Sequence, residues 1–403
     1  MRRTINAELV STMLAASAMT SLGAIPVFLL SAQSVFIRRD LGFDEAKFGL
    51  AASAFFAAAA ASALLGGRLV DRLGRRRGTI LAGALACLGG AGLAYLARSY
   101  LILVLMLVVL GMANAALQVT SNLSLARAIP AHRQGLAFGV KQSAVPLAIL
   151  LGGLSVPTVG ALVGWRWTFV ITSLAGAVVL ACGFRIPRQP RRATKAARAV
   201  EGPPRGALLW AAAGMTMASA SVNSLGAFLP SWAFHIGMSP SAAGIMMAAG
   251  SGLSIVARLV TGHRADRRDG GNLAVVIQQL AAGAVAFVVI SIGTVPTLWA
   301  SSMLAFAIGW AWPGLLLFAV VRVGREAPGA ASGVLQAGAF VGGATGPALI
   351  GLLVSSTNYP FAWRVGAGCM LLAGGLLGLA RRAFLRDLKS RPLQRTATMG
   401  QAS

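Results

Sequence analysis

One basic stretch, Gly66-Gly67-Arg68-Leu69-Val70-Asp71-Arg72-Leu73-Gly74-Arg75-Arg76-Arg77, separates two long apolar runs. The first run extends from Phe48 to Leu65 and the second from Thr79 to Ala97, and neither contains a charged residue. Each is close to the length of about 20 residues that a helix needs to cross a bilayer. Glycine permits a tight turn, and arginines beside a membrane helix are typical of the cytoplasmic side. The stretch therefore predicts a short cytoplasmic loop between two transmembrane helices.

The order of residues in this loop resembles the signature of the major facilitator superfamily of transporters. The pattern is Gly67-x-x-x-Asp71-Arg72-x-Gly74-Arg75-Arg76, and a shorter form recurs at Gly262-x-x-x-Asp266-Arg267, again between apolar runs. The alternative is a basic loop of some other membrane protein. The resemblance implies that the first copy lies between the second and third of twelve helices.

The composition indicates a membrane protein with many spans. Of 403 residues, 57% are hydrophobic and only 11% are charged, whereas a soluble domain has about 25% charged residues. The net charge of +25 could suggest nucleic-acid binding, but the basic residues form short clusters between apolar runs, as juxtamembrane charges do. We therefore expect no nucleic-acid partner and a lipid bilayer as the solvent of the protein.

Twelve apolar runs are long enough to be spans, and all should be helices because lipid offers no hydrogen bonds to the backbone. We predict them at residues 9–30, 47–65, 79–97, 101–123, 137–157, 165–184, 207–229, 241–261, 273–292, 297–320, 331–354 and 361–380. The fold class is thus an all-α membrane protein. The resemblance implies that its twelve helices form two pseudo-symmetric six-helix bundles.

The distribution of charge predicts the orientation. Most of the 35 lysines and arginines fall on one side of the predicted spans, and six fall on the other side: Arg38, Arg39, Lys47, Arg98, Arg166 and Arg364. The richer side is expected to be cytoplasmic. Both termini would then be cytoplasmic, in a multi-pass protein of the cell (plasma) membrane.

A basic, proline-rich break divides the chain into two halves. We predict an N-terminal bundle at 1–184, a cytoplasmic linker at 185–206, a C-terminal bundle at 207–384 and a cytoplasmic tail at 385–403. Three motifs recur in order at nearly one offset, namely the signature, Ala137-Phe138-Gly139-Val140 with Ala331-Ser332-Gly333-Val334, and Trp165-Arg166 with Trp363-Arg364. Such recurrence indicates an internal duplication.

The signature suggests a conformational gate. The resemblance implies that Asp71 meets the start of span eleven near Ala331, and that Asp266 meets the start of span five near Ala137, where helix N-termini stabilise negative charge. The gate would close the cytoplasmic side in the outward-facing state. Alternatively, Asp71 only neutralises arginines of its own loop. The candidate gate residues are Gly67, Asp71, Arg72, Gly74, Arg75, Arg76, Gly262, Asp266 and Arg267.

Two basic residues, Lys141 and Arg258, lie inside predicted spans, whereas none of the ten acids lies near the middle of one. Ionisable groups within a membrane are functional candidates, and two cations on facing spans could bind an anion. The alternatives are that both side chains extend to the membrane surface, or that Arg258 pairs with Asp266.

Uncharged polar residues supply further candidates for the solute site, with hydrogen bonding between helices as the competing role. They are Asn114, Gln118, Asn223, Gln142 and Gln336. Trp310 and Trp312 could add an aromatic wall. No nucleotide-binding, catalytic or metal-ligand motif is present, so we expect neither an enzyme nor a cofactor.

The sequence thus predicts a secondary transporter that moves a small solute by alternating access. A small organic anion such as a carboxylate is the favoured solute, and efflux of an apolar or drug-like compound is the alternative. A receptor that transports nothing is disfavoured by the two copies of the gate. We expect a monomer driven by a gradient of protons or of a counter-anion.

Overall fold

In the computed structural model of the chain, the described residues form helices and no strands. The structure describes residues 2–128, 140–187, 204–266, 271–323 and 328–390. Within these ranges the side chains of 2–10, 64–74, 122–128, 266, 321–323 and 328–330 are not described. The helical backbone fits a chain whose apolar runs must satisfy their own hydrogen bonds in lipid.

The helices follow the predicted spans in order. They are Arg2–Ala32, Ser34–Leu41, Glu45–Ala91, Tyr100–Ala128, Ala144–Ser155, Ala161–Val163, Trp165–Arg185, Arg205–His235, Pro240–Asp266, Asn272–Ile290, Val295–Leu304, Trp312–Val323, Pro328–Ser356 and Tyr359–Ser390. The described residues also include three π-helical segments, Gly92–Leu96 in span three, Val156–Gly160 in span five and Ala305–Gly309 in span ten.

Eleven helical segments among the described residues are long and apolar enough to cross a membrane. Eleven of the twelve predicted spans overlap them. The exception is span seven, which lies in Arg205–His235, a helix of 31 residues. This helix is long enough to cross a bilayer, but serines and Asn223 lower its hydropathy. The fold is an all-α membrane protein with two six-helix bundles, and the count of twelve is nearly reproduced by hydropathy alone.

The predicted loop at residues 66–77 differs from expectation, because the backbone is helical from Glu45 through Ala91. The chain nevertheless reverses within this element. Span four contacts both span two and span three. Its Gly111 lies against Phe55 of span two, and its Leu110 lies against Gly89 of span three. The Tyr100 hydroxyl also donates to the carbonyl of Lys47. Spans two and three are therefore antiparallel neighbours, as the sequence predicts.

Small residues allow span eleven to approach span seven closely. A Cβ added to Gly338 would lie 2.7 Å from the carbonyl oxygen of Ala212, and one added to Gly342 would lie 2.8 Å from the backbone nitrogen of Ala220. Gly346 is equally close to Ala220. Such packing replaces the hydrophobic drive that is missing between helices in lipid.

The two halves, spans one to six and spans seven to twelve, meet at one end of the molecule. We call this the closed end; there span one ends and span two begins. Ser34 Oγ lies 3.0 Å from Ser231 Oγ of span seven. The Arg39 guanidinium lies 5.0 Å from the centre of the Phe234 ring, and a Cβ added to Gly351 of span eleven would lie 2.6 Å from the carbonyl oxygen of Glu45.

Candidate functional site

Lys141 is buried where spans four and five meet. Its Nζ donates to Gln118 Oε1 at 3.0 Å, and the residue is only 6% exposed. Gln118 itself is fixed in span four, where its carbonyl accepts from Ser121 Oγ at 2.9 Å. The sequence predicted both residues as solute ligands, and the structure brings them into direct contact.

Arg258 of span eight lies deep between the two halves. Its Nη1 donates to the carbonyl of Gln142 in span five at 2.7 Å, and its Nη2 donates to the carbonyl of Trp310 in span ten at 2.6 Å. Its Nε has no hydrogen-bond partner among the described residues, and the residue is 8% exposed. Arg258 therefore points into the protein rather than towards a membrane surface.

Lys141 and Arg258 are brought to the same level of the molecule. Arg258 binds the carbonyl of Gln142, which directly follows Lys141 in span five. The Gln142 side chain faces span ten, since a Cβ added to Gly314 would lie 3.8 Å from Gln142 Cβ. Arg258 thus lies at the boundary between the halves, and Lys141 is the residue next to the carbonyl that Arg258 binds.

The other predicted polar ligands are spread over the same region and are not gathered at one point. Asn114 is buried against Gly23 of span one, and its Oδ1 has no partner among the described residues. Asn223 donates from Nδ2 to the carbonyl of Ser219 in its own helix at 2.8 Å. Gln336 of span eleven is exposed.

An aromatic cluster also lies at the boundary between the halves. The Trp310 ring stacks on Phe306 with ring centres 5.6 Å apart, and Phe28 of span one meets its edge at 6.1 Å. Trp312 is fully buried. Trp310 is therefore part of an aromatic wall formed by residues of both halves. Trp312 is packed in the core.

Polar contacts at the closed end were not predicted from the sequence. Glu45 Oε1 lies 2.7 Å from Arg38 Nη2 and accepts from the Tyr359 hydroxyl of span twelve at 3.5 Å. Tyr359 stacks on Trp232 with ring centres 5.0 Å apart. No motif marks these residues; the only sequence signal is their position at the ends of spans two, seven and twelve.

Most of the gate cannot be described in atomic detail. The side chains at residues 67, 71, 72, 74 and 266 and the whole of Arg267 lie outside the described part of the chain, as does the start of span five at residues 137–138. Arg75 is exposed, Arg76 is half-buried, and Gly262 lies in span eight.

The end opposite the closed end carries the signature, and we call it the signature end. Among the described residues, a Cβ added to Gly262 of helix Pro240–Asp266 or to Gly333 of span eleven would meet no atom of a neighbouring element within 4 Å. At the closed end, by contrast, Gly49 and Gly351 are pressed against each other across the halves. The described residues are therefore tightly packed across the halves at the closed end, and they leave space around these two glycines at the signature end.

No group of three or more His, Cys, Asp or Glu side chains is arranged to hold a metal ion within the described ranges. The three cysteines, Cys87, Cys182 and Cys369, are free thiols. The arrangement of Lys141, Arg258 and the neighbouring amides can bind polar and anionic groups.

Comparison with known proteins supports this assignment of fold. A bacterial homologue of the human lysosomal transporter Spinster, solved in an inward-facing and unoccupied conformation, superposes with a TM-score of 0.70 and 16% identity, over 94% of this chain and 98% of that chain. The inward-facing and occupied form gives a TM-score of 0.65. At this identity the likeness concerns the fold alone.

Several relatives are transporters. An uncharacterized MFS-type transporter of Mycobacterium tuberculosis is 27% identical over 74% of this chain and 68% of its own length. The D-xylose transporter of Levilactobacillus brevis is 26% identical over 40% of this chain and 36% of its own length. The hexuronate transporter of Bacillus subtilis is 26% identical over 43% of this chain and 41% of its own length.

The family model covers most of the chain. It is the model of the Major Facilitator Superfamily, and it matches residues 9–344. The match includes both copies of the signature and eleven of the predicted spans in whole or in part. The chain belongs to the Major Facilitator Superfamily of transporters.

Proposed function

We propose that this transporter moves a small organic anion, such as a carboxylate, between the two halves of the molecule. The observation that carries the proposal is the burial of Lys141 and Arg258 at one level, one from each half. A charge inside a membrane is costly and is retained mainly where it serves function. An anionic solute would offset this cost while it is bound.

The positions of the acids support an anion rather than a cation as the solute. The acidic side chains that the structure describes are Asp40, Asp44, Glu45 and Asp387, and all lie at the ends of spans. Within this set, no carboxylate is placed in mid-span to attract a cation. The positive field near Lys141 and Arg258 would instead raise the local concentration of an anion.

The relatives suggest which kind of anion to test first. One of them is named a hexuronate transporter and another a D-xylose transporter. A sugar acid combines a carboxylate, which Lys141 would bind, with hydroxyl groups, which carboxamides can bind as donors and acceptors. In this proposal Asn114, Gln118 and Asn223 bind the hydroxyls, and Gln142 and Gln336 complete the lining as the halves move.

We further propose that the closed end faces the outside of the cell, so that the described conformation is inward-facing. The excess of lysine and arginine at the signature end supports this orientation, with both termini in the cytoplasm. In the outward-facing state the gate, including Asp71 and Asp266, would close the signature end. Transport would be driven by a gradient of protons or of a counter-anion, and the monomer contains the whole pathway.

A second candidate is the efflux of an apolar compound. The aromatic cluster of Phe28, Phe306 and Trp310 at the boundary between the halves favours it, because aromatic rings bind apolar molecules over a large area. This candidate predicts that Trp310, rather than Lys141, determines the affinity for the solute.

Uptake into proteoliposomes tests the proposal. Purified protein would be assayed with a radiolabelled hexuronate, a short monocarboxylate, D-xylose and a lipophilic dye, under an imposed proton gradient and with each anion inside as a counter-substrate. The proposal expects saturable uptake of an anion, with a raised KM in Lys141→Gln and an unchanged KM in Lys47→Gln, a matched change at the closed end. Dye transport that is unaffected by Lys141→Gln and lost in Trp310→Ala would overturn it in favour of the second candidate.

A further inference from the structure

Prolines interrupt spans five and seven next to the boundary between the halves. In an α-helix the N–H of each residue donates to the carbonyl four residues earlier, and proline has no N–H to donate. Residues 140–142 are helical just before helix Ala144–Ser155, so Pro146 leaves the carbonyl of Gln142 without its helical donor. Pro230, inside helix Arg205–His235, does the same to the carbonyl of Gly226.

Each of these two carbonyls is bound by a side chain from the opposite half. Arg258 Nη1 of span eight donates to Gln142. Ser31 Oγ of span one donates to Gly226, and also to the carbonyl of Ala227 at 2.8 Å. The arrangement is reciprocal, because the first half supplies one carbonyl and the second half supplies the other.

A related contact occurs at a third proline, in span eleven. The backbone N–H of Ala348, which follows Pro347, donates to Ser53 Oγ of span two at 2.9 Å. Gly49, one turn before Ser53, packs directly against the carbonyl of Pro347. Here too a backbone group beside a proline is satisfied from the other half.

We propose that Pro146 and Pro230 create backbone acceptors by which the two halves bind each other. Ser31 is a positioning residue that holds the closed end shut, whereas Arg258 joins the halves nearer the signature end. A buried carbonyl without a donor is unfavourable. Separating the halves without admitting water would leave such a carbonyl, so each proline favours the contact between the halves. When the closed end opens, water can enter and bind the same carbonyls, which makes the contact reversible. The inference concerns the conformational change and does not depend on which solute is carried.

The alternative is that these prolines only bend their helices. In that case replacing the proline would alter the helix axis, but it would not remove the specific role of Ser31. The two hypotheses differ in whether the effect of replacing the proline and the effect of replacing its partner side chain depend on each other.

Distance measurements between spin labels separate these readings. The labels would be placed at Arg98→Cys and Ile292→Cys, exposed positions of opposite halves, with Cys87, Cys182 and Cys369 replaced. Pro230→Ala and Pro146→Ala restore the missing N–H groups, so each carbonyl is satisfied within its own helix. We expect Pro230→Ala and Ser31→Ala each to raise the population with the closed end open by about two- to tenfold, the net effect of one hydrogen bond. Pro146→Ala, whose contact lies nearer the signature end, should not raise it.

A double-mutant cycle gives the decisive result. Ser31→Ala should have a smaller effect in the Pro230→Ala background than in the wild type, because its acceptor is already occupied. The control is Pro296→Ala at the first turn of span ten, where the missing N–H has no helical acceptor; it should change nothing. Equal effects of Ser31→Ala in both backgrounds, or unchanged distances in folded Pro230→Ala, would overturn the proposal. Solute uptake is not the readout, so failure here is distinguishable from failure of the anion proposal.

Discussion

Lys141 Nζ lies 3.0 Å from Gln118 Oε1, so the cation of span five is held by an amide of span four. This geometry shows that the lysine side chain is directed towards span four and does not extend to the membrane surface. An amide oxygen is a neutral acceptor, so a carboxylate would bind the lysine more strongly than Gln118 does. The contact is therefore a suitable resting arrangement for a lysine that binds an anionic solute during transport.

Removing the charge at Lys141 should weaken anion binding. A hydrogen bond to a charged group contributes about 1.5–3 kcal/mol, which corresponds to about 10- to 100-fold in affinity. We expect Lys141→Gln to raise the KM for the anion by this factor and Lys141→Arg to raise it less, as measured by uptake into proteoliposomes. Lys47→Gln serves as the control, and an unchanged KM in Lys141→Gln would contradict the assignment.

Enlarging Gly342 should destabilise the second half. A Cβ at this position would lie 2.8 Å from the Ser219 side chain of span seven, and overpacking costs about 1–3 kcal/mol. We expect Gly342→Ala to lower the melting temperature of the purified protein in detergent, as followed by a thermal-shift assay. Gly378→Ala is the control, because a Cβ there meets no atom within 4 Å. Equal melting temperatures for the two variants would show that the close contact has no role in stability.

The hydroxyl of Tyr359 should contribute only weakly to keeping the closed end shut. The ring stacks on Trp232 within the second half, whereas the hydroxyl reaches the first half through one long hydrogen bond to Glu45, whose ion pair with Arg38 is partly exposed and worth about 0–1 kcal/mol. We expect Tyr359→Phe to resemble the wild type in the distances between spin labels at positions 98 and 292, and Tyr359→Ala to lower the melting temperature because the ring packing is lost. Phe361→Ala, an exposed ring of the same span, is the control. A Phe variant that populates the open form would show that the hydroxyl holds the closed end shut.

The gate at the signature end leads to a prediction that depends on the sequence alone. If Asp71 stabilises closure of this end through the start of span eleven, Asp71→Asn should increase the accessibility of a cysteine placed in the pathway near the signature end. Labelling with a membrane-impermeant maleimide on inside-out vesicles would measure it, with Asp44→Asn at the closed end as the control. An unchanged labelling rate would leave Asp71 with a role only inside its own loop.

The general architecture was accessible from local sequence. Hydropathy locates the spans because a transmembrane helix must be apolar over most of its length. Span seven and the loop at 66–77 were harder cases. In the first, buried serines and Asn223 lower the hydropathy of a helix that packs against protein; in the second, the backbone stays helical although the chain reverses.

Only part of the candidate site could be predicted from the sequence. The sequence singled out Lys141, Gln118 and Arg258 because charged and amide groups are unusual in apolar runs, but it did not show that Lys141 binds Gln118 or that Arg258 binds two backbone carbonyls. Those partners are 23, 116 and 52 residues away along the chain. The sequence gives no signal for Ser31, Ser53 and Tyr359, since such residues are common in membrane helices.

The sequence by itself determined that this chain crosses a membrane many times in two related halves, because apolar length, charge asymmetry and repeated motifs are properties of short segments. Only the tertiary structure decided which end is packed shut and which carbonyls, freed by Pro146 and Pro230, are bound by Arg258 and Ser31. The physical reason is that the sequence shows where a proline removes a backbone N–H. The side chain that replaces this donor is selected by the packing of helices that are far apart in the chain.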